Sequence, residues 1–358
     1  MSQVESFLVR TASQVLQVSE DKLANNKQES LFDYGLNSLL AIHFGTVPSS
    51  FVFEHPTIES AAQALHSSND AVHNSEERYQ ETQQLLEEYT TRAKDDFVQC
   101  DTTVDDPRAA AGHVILLTGA TGSLGSFMLG NLLQCSNVKK VYCLLNEDYL
   151  GWPKDTYDRL KQQVTIDQAC AWQLDFNQPI AHFDKECIQG LYNLIKFAHR
   201  PINPMHVHTI SSVSATAAMK SPIPETVAPK DPHVAIPMGY AQSKYIVEHL
   251  FYSLSKEKQF PCIIERLGQY PLMMIDGGAE MKEMPDLGNM VIDWIPVDFA
   301  AASIMQIMLT TANDNLGPPE QVYHIVNPNM VTWKDVLESI RASGIQFDTV
   351  TLNNGLKI

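Results

Sequence analysis

Val4, Phe7, Leu8, Val15 and Val18 recur at broadly helical spacing, which predicts an amphipathic helix over 4–18 packed into a small bundle. A second apolar stretch, 36–44, follows Asp33-Tyr34-Gly35. A third, 56–65, opens with a proline at a helix-start position and sets Ile58, Ala61, Ala62 and Leu65 on one face. Three short helices make a small all-α unit. Residues 67–75, SSNDAVHNS, are polar and aperiodic, as expected of a linker. Residues 76–93 then read as a charged surface helix, and 101–111 as a loop.

The pattern changes at about His113. An unbroken apolar run at 113–117 predicts a buried strand. A glycine turn, a helix over 124–133 and a second strand over 141–145 follow it. Strand, turn, helix and strand form a βαβ unit and so imply a parallel sheet. Further strands are expected at 207–210, 262–266 and 322–325, with helices at 188–199, 239–255 and 297–309. That alternation is the pattern of a doubly wound α/β domain.

Bulk properties narrow the function classes. The length of 358 residues favours two domains, or one large domain with an appendage. A net charge of -17 repels phosphate backbones and anionic headgroups, so neither nucleic acid nor a membrane surface is an expected partner. The charge is uneven: residues 1–111 hold eighteen Asp and Glu against seven Lys and Arg, so the two parts present different surfaces. The six cysteines lack CxxC spacing and nearby His pairs, which suggests neither a zinc site nor a disulfide framework. The start carries Glu5 where a signal peptide needs positive charge, and no apolar run reaches spanning length. The expected compartment is cytoplasmic.

Two motifs carry chemistry. Thr118, Gly119, Thr121, Gly122, Ser123, Leu124 and Gly125 belong to a GxxGxxG loop between the first strand and the first helix. Gly119 permits a tight turn, Gly122 lets the backbone approach a pyrophosphate, and Gly125 lets helix pack on strand. The helix N-terminus adds N–H donors and the positive end of its dipole. The alternative is a glycine-lined turn with no ligand. The second motif is Tyr240-Ala241-Gln242-Ser243-Lys244, a YxxxK at the start of a predicted helix, 28 residues after Ser212 at a predicted strand end. At this spacing phenol and ammonium share a helix face, so Lys244 can lower the pKa of Tyr240. Hydride addition to a carbonyl leaves negative charge on oxygen, which calls for an acid and a second donor. Tyr240 is the candidate acid and Ser212 the candidate donor, with Ser211 and Ser214 as neighbours that could be mistaken for it.

Together these motifs resemble the extended short-chain dehydrogenase superfamily. More narrowly, they resemble the C-terminal thioester reductase domains of carboxylic acid reductases and fungal nonribosomal-peptide-synthetase-like enzymes. The similar stretches run over most of 112–348: VILLTGATGSLGSFMLGNLL, KDTYDRL, LDFNQPIAHFD, ISSVSA, GYAQSKYIVEHL, ERLGQ, IPVDFAAASIMQIM and YHIVNPNMVTWKDVLESIRASG. LFDYGLNSLLAI resembles the attachment segment of acyl and peptidyl carrier domains, and Ser38 matches the serine that receives 4'-phosphopantetheine, with Asn37 where Asp is usual. The alternative for Ser38 is a helix cap. The resemblance implies a Rossmann-like doubly wound parallel sheet over 112–358, preceded by a carrier-like helical unit over 1–66 and an acidic connecting segment over 67–111. It implies NADPH as cofactor, with NADH left open, and an acyl or peptidyl thioester as substrate. It also implies reductive release as an aldehyde, or as an alcohol after a second hydride. The implied partners are a phosphopantetheinyl transferase and an upstream acid-activating, polyketide or peptide synthase enzyme, since this chain holds no adenylation domain.

Three departures bear on that reading. Between Ser38 and Pro48 the chain is short for the carrier's second helix. After the second strand Asn146 stands where the family commonly has Arg, and the chain passes directly to Tyr149 and Trp152, as though a strand and a helix were missing. After Gly268 and Gln269, Tyr270-Pro271 replaces a longer loop. Asn146 can hydrogen-bond a ribose but offers no charged fork for a 2'-phosphate. Two other readings stay open on the sequence: a dehydrogenase of a free small carbonyl substrate, and a noncatalytic pathway protein.

Overall fold

The computed structural model describes residues 3–16, 18–34, 55, 57–66, 68–103, 108, 112–144, 152–176, 178–219, 222–268, 282–286, 291–313 and 320–351. The chain divides into two compact units, one of Met1–Tyr79, Tyr270–Trp294 and Asn327–Ile358, the other of Gln80–Gln269 and Ile295–Val326.

In the first unit, α1 (Gln3–Leu16) packs against α2 (Glu20–Asn25) and α3 (Ile58–His66). Leu8, Val9, Ala12, Leu23, Leu31, Ile58, Ala61 and Ala62 are buried, so the helical spacing of apolar residues does produce a small helical core. α2 was not expected from the sequence: six residues are too few to show a period. The expected helix over 36–44 lies outside the described residues. The same unit holds β6 (Glu283–Asp286) beside β10 (Asp348–Thr351), and β7 (Val291–Ile292) beside β9 (Val331–Thr332). Met284, Ile292, Leu337, Ile340 and Phe347 pack around fully buried Trp333. Helix α10 (Trp333–Ala342) starts at a reciprocal cap in which Thr332 and Asp335 satisfy each other's backbone N–H.

Helix α4 (Ser68–Asp96) begins eight residues before the expected charged helix, so the polar stretch expected as linker is helical. Polar residues without Gly or Pro offer no breaker, and local aperiodicity alone does not end a helix. From Gln80 it belongs to the second unit, where Leu86, Tyr89 and Ala93 are buried and Tyr89 donates to Asp184 at 2.6 Å.

The second unit is built on a six-stranded parallel sheet, in the order β2 (Val138–Leu144), β1 (His113–Thr118), β3 (Ile166–Ala169), β4 (His206–Ser212), β5 (Cys262–Leu267), β8 (Glu320–Ile325). The expected strands at 113–117, 141–145, 207–210, 262–266 and 322–325 are all present, within a few residues at their ends. β3 and the helix before it, α6 (Lys154–Gln163), escaped the sequence reading because a four-residue strand containing Asp167 and Gln168 lacks an apolar run. Among the described residues β2 pairs with β1 alone.

One face of the sheet is covered by α5 (Ser123–Gln134) and α9 (Val297–Asn313), whose Leu124, Met128, Leu132, Ala300, Ala301, Ile304 and Met308 close over Ile115, Leu117, Ile166, Ile210 and Ile325. The other face carries α7 (Gln189–Ala198) and α8 (Gly239–Lys258). α7 is entered through Ile180–Phe183 and a π-helical turn, Asp184–Ile188. Strands buried on both faces explain the unbroken apolar runs. The chain steps from β1 outward to β2 and then back across to β3, so the direction of winding reverses between β1 and β3. In open sheets of this kind, the crevice at the carboxyl ends of the strands beside that reversal is where ligands bind.

Candidate functional site

Three chain segments leave the carboxyl edge beside the reversal: the glycine loop after β1, the loop 170–176 after β3, and Ser212 at the end of β4. Gly119 has φ +69°, and a Cβ there would lie 2.8 Å from the backbone nitrogen of Ala171. A Cβ on Gly125 would lie 2.1 Å from the carbonyl oxygen of Gly119. Both positions therefore require glycine, the first for conformation and space, the second for space alone. Thr118 is buried and its Oγ1 accepts the backbone N–H groups of Cys170 at 3.0 Å and Ala171 at 2.9 Å, tying the β1 and β3 loops together. Gly122 is the N-cap of α5 and gives no side-chain cap. Thr121, Gly122 and Ser123 are exposed, while Leu124 is buried under the helix. The first turn of α5 thus presents its N–H groups outward beside two hydroxyls, which suits a pyrophosphate. Asn146 lies outside the described residues, as does Ser38.

Ser212 ends β4 as expected, and the three candidate serines separate cleanly. Ser211 is buried and donates to Glu248 Oε1 at 2.6 Å. Ser214 donates to Ser212 Oγ from both its backbone nitrogen, at 3.2 Å, and its own hydroxyl, at 3.0 Å. Ser212 accepts in both bonds, so neither consumes its own proton, which can be donated to a ligand oxygen.

Tyr240 and Lys244 lie on the first turns of α8, which packs against β4 and the 3-10 turn Val213–Thr216. Gly239 precedes them because a Cβ there would meet Gln178 O at 2.3 Å. The half-buried Tyr240 ring is held edge-on by Phe176, at 5.0 Å between centroids, and by Phe183, at 6.1 Å. Lys244 Nζ lies 5.7 Å from the Tyr240 ring centre and donates to Ile210 O at 2.6 Å, two residues before Ser212. The ammonium thus lies between the end of β4 and the Tyr240 ring. Burial is the main influence on the lysine and lowers its pKa to about 7.

Sequence reasoning missed Trp172, Phe176 and Phe183 as site residues, because aromatic residues in a loop or in a four-residue helix carry no periodicity. It also missed the role of Arg266. That side chain is fully buried, pairs with Glu248 and donates to the carbonyls of Pro224, at 3.2 Å, and Thr226, at 2.9 Å, so it anchors the loop leading to α8. Among the described residues no group of His, Cys, Asp and Glu could hold a metal ion, and no helix is long and apolar enough to cross a membrane.

Known proteins share this architecture. A thiolation-reductase di-domain from an archaeal non-ribosomal peptide synthetase superposes with a TM-score of 0.59 at 18% identity, over 98% of this chain and 84% of that one. The adenylate-forming reductase Nps9 of Serpula lacrymans var. lacrymans (strain S7.9) is 25% identical over 359 residues, 82% of this chain. The non-reducing polyketide synthase pkdA of Emericella nidulans (strain FGSC A4) is 27% identical over 288 residues, 63% of this chain. The chain spans 32% of the length of the first relative and 11% of the second. The model of the NAD-binding family described as male sterility protein matches residues 117–148 and 145–304, more than half of the chain, in two pieces that meet just after β2. With a glycine loop shaped for a dinucleotide and a Tyr–Lys pair at the same sheet edge, the chain belongs to this NAD-binding family and carries its reductase-type domain.

Proposed function

We propose that residues 112–358 form a reductase domain that releases an acyl or peptidyl thioester as an aldehyde, using NADPH. The observation that supports this reading is the Lys244 ammonium between the Tyr240 ring and the end of β4, the strand that Ser212 closes, on the sheet whose β1 leads into the Gly119–Gly125 loop. Thr118, Gly119, Thr121, Gly122, Ser123, Leu124 and Gly125 would hold the dinucleotide, with Asn146 toward its ribose and Tyr240 and Lys244 at the nicotinamide end. A bound dihydronicotinamide supplies hydride. Tyr240 then gives its proton to the carbonyl oxygen as charge builds there, while Ser212 donates a second hydrogen bond and the Lys244 ammonium stabilises the phenolate left behind. Collapse of the resulting hemithioacetal breaks the C–S bond, expels the thiol and leaves an aldehyde.

The same reading makes residues 1–66 a carrier, bearing 4'-phosphopantetheine on Ser38, and residues 67–111 the segment that connects it. A phosphopantetheinyl transferase and an upstream synthase or acid-activating enzyme would load it. The relatives named as adenylate-forming reductase and polyketide synthase support that setting, as does the likeness to a thiolation-reductase di-domain. The test is an assay of acyl pantetheine thioesters with NADPH and NADH, with the aldehyde trapped as a hydrazone. Aldehyde formation with loss of nicotinamide absorbance is expected. Failure to bind either cofactor at millimolar concentration overturns the proposal. For the carrier, a mass gain with a phosphopantetheinyl transferase is expected in the native chain, and its persistence in Ser38→Ala removes Ser38 from that role.

A further inference from the structure

The loop after β3 places an indole against the catalytic lysine. Lys244 Nζ lies 3.7 Å from the centre of the Trp172 ring, well inside the distance at which a cation is attracted to an aromatic face. The Trp172 N–H donates to Ser243 Oγ at 3.3 Å, and Ser243 Oγ donates to the carbonyl of Tyr240 at 2.7 Å. The indole is held from below as well, because the backbone of the two preceding residues is pinned by Thr118.

Burial drives an ammonium toward its neutral form, and a neutral lysine cannot stabilise a phenolate. Something must therefore offset burial at Lys244. The groups around it are Cys170 after β3, Cys187 in the π-helical turn, and Tyr240 and Glu248 on its own helix. Both Glu248 oxygens already accept hydrogen bonds, from Ser211 and from the Arg266 guanidinium. Burial pushes the Cys170 thiol up to about 12, and Cys187 is buried as well. Among the described residues no carboxylate hydrogen-bonds Lys244. Cys187, Cys170 and Glu248 favour its charge from nearby, and the contacts of the ammonium itself that favour it are the Ile210 carbonyl and the Trp172 ring face.

We propose that Trp172 is a positioning residue for proton delivery: its ring keeps Lys244 charged at the end of β4, and its N–H, through Ser243, fixes the helical turn that carries Tyr240. This rests on the reductase reading for its consequence in turnover, but not for the charge state itself.

The test uses the full chain with 13Cε-labelled lysine, the Lys244 resonance being assigned by its loss in Lys244→Met. Trp172→Leu keeps apolar cover over the ammonium but removes the π face, so the Lys244 midpoint is expected to fall by roughly one pH unit. Trp172→Phe keeps a ring and is expected to stay near the native midpoint. The alkaline limb of kcat/KM for acyl pantetheine reduction should move by the same amount in Trp172→Leu and be restored in Trp172→Phe. An unchanged midpoint in Trp172→Leu overturns the proposal. If that variant does not fold, Trp172→Met, which also covers without a ring, takes its place with the same expectation. A shifted midpoint in a chain whose native form reduces no thioester supports the role in charge and overturns the reductase reading instead.

Discussion

Glu248 and Arg266 meet inside the second unit as a two-pronged ion pair, Nε to Oε1 at 2.9 Å and Nη2 to Oε2 at 2.7 Å, with both side chains essentially inaccessible to water. Ser211 adds a third donor to the same carboxylate. The pair joins α8 to β5, and the guanidinium goes on to hold the loop at Pro224 and Thr226. Removing one partner strands the other charge in the core. Arg266→Met is therefore expected to destabilise the protein by about 3–5 kcal/mol, and the double variant Glu248→Leu, Arg266→Met to recover a large part of that loss. Urea unfolding of the single and double variants checks this. A double variant as unstable as the sum of the singles would show that the buried charges are not the source of the cost.

Two glycines of one helix should respond in opposite ways. Gly125 has the Gly119 carbonyl where its Cβ would go, whereas a Cβ on Gly130 meets nothing within 4 Å. Gly125→Ala is expected to push α5 off β1, lowering nicotinamide affinity at least tenfold and reducing stability. Gly130→Ala is expected to stabilise by about 0.5–1 kcal/mol through lost unfolded-state freedom, with cofactor affinity unchanged. Fluorescence titration with NADPH and thermal unfolding read both. Equal responses would mean that the loop and helix are not packed as described.

The same contrast shows what the sequence makes legible. Gly119, Gly122 and Gly125 stand out because spacing in sequence maps directly onto a turn between a strand and a helix. Ser212, Tyr240 and Lys244 stand out because a strand end and a helix start are both visible as changes of apolar period. Trp172, Phe176 and Phe183 do not. They reach the Tyr–Lys pair from a loop and from the short helix Ile180–Phe183, and nothing in their spacing reports that approach. β3 was hidden for a related reason: Asp167 and Gln168 interrupt its apolar run, yet both are fully buried in the middle of the sheet.

Asp167 has a consequence for pH. It is fully buried, neither carboxyl oxygen has a hydrogen-bond partner among the described residues, and burial pushes its pKa up to about 8 from an ordinary value of 3.8. Between those values the folded chain binds a proton that the unfolded chain has released, so this group's contribution to stability falls as pH rises, by about 1.4 kcal/mol per unit. Lys244 works in the opposite direction, but only from about pH 7 to 10.5, where the unfolded chain holds the proton instead. Between about pH 4 and 6.5 the buried His55 and His249, each lowered from 6.5 to about 4 chiefly by burial, add an upward slope of their own, so the Asp167 contribution is read as the difference between native chain and variant. Asp167→Asn is expected to gain stability relative to the native chain steadily from pH 4 to 7 and to be the more stable of the two at pH 7. Urea midpoints across that range test it, and parallel curves for the two proteins would count against a neutral buried carboxyl.

The serines at the end of β4 offer the sharpest separation of roles, because three neighbouring hydroxyls have three different surroundings. Ser212 Oγ accepts two hydrogen bonds from Ser214 and keeps its own proton for a ligand oxygen. Ser212→Ala is thus expected to lower kcat for acyl pantetheine reduction by about 10²–10³, with little change in folding or in cofactor affinity. Ser214→Ala removes only one of the two donors that orient Ser212, since the backbone N–H remains, and a loss of less than tenfold is expected. Ser211→Ala takes a donor from the buried Glu248 carboxylate, so its effect belongs to stability, on the order of 1–3 kcal/mol, with kcat largely kept in the folded fraction. Tyr240→Phe supplies the reference: turnover is lost while NADPH affinity is nearly unchanged, because only the transferable proton is removed. Steady-state kinetics and unfolding on the four variants separate proton delivery from packing. Were Ser211→Ala the one that stopped turnover while Ser212→Ala remained active, the second donor would have to be reassigned to the neighbouring serine and the ligand oxygen placed on the other face of β4.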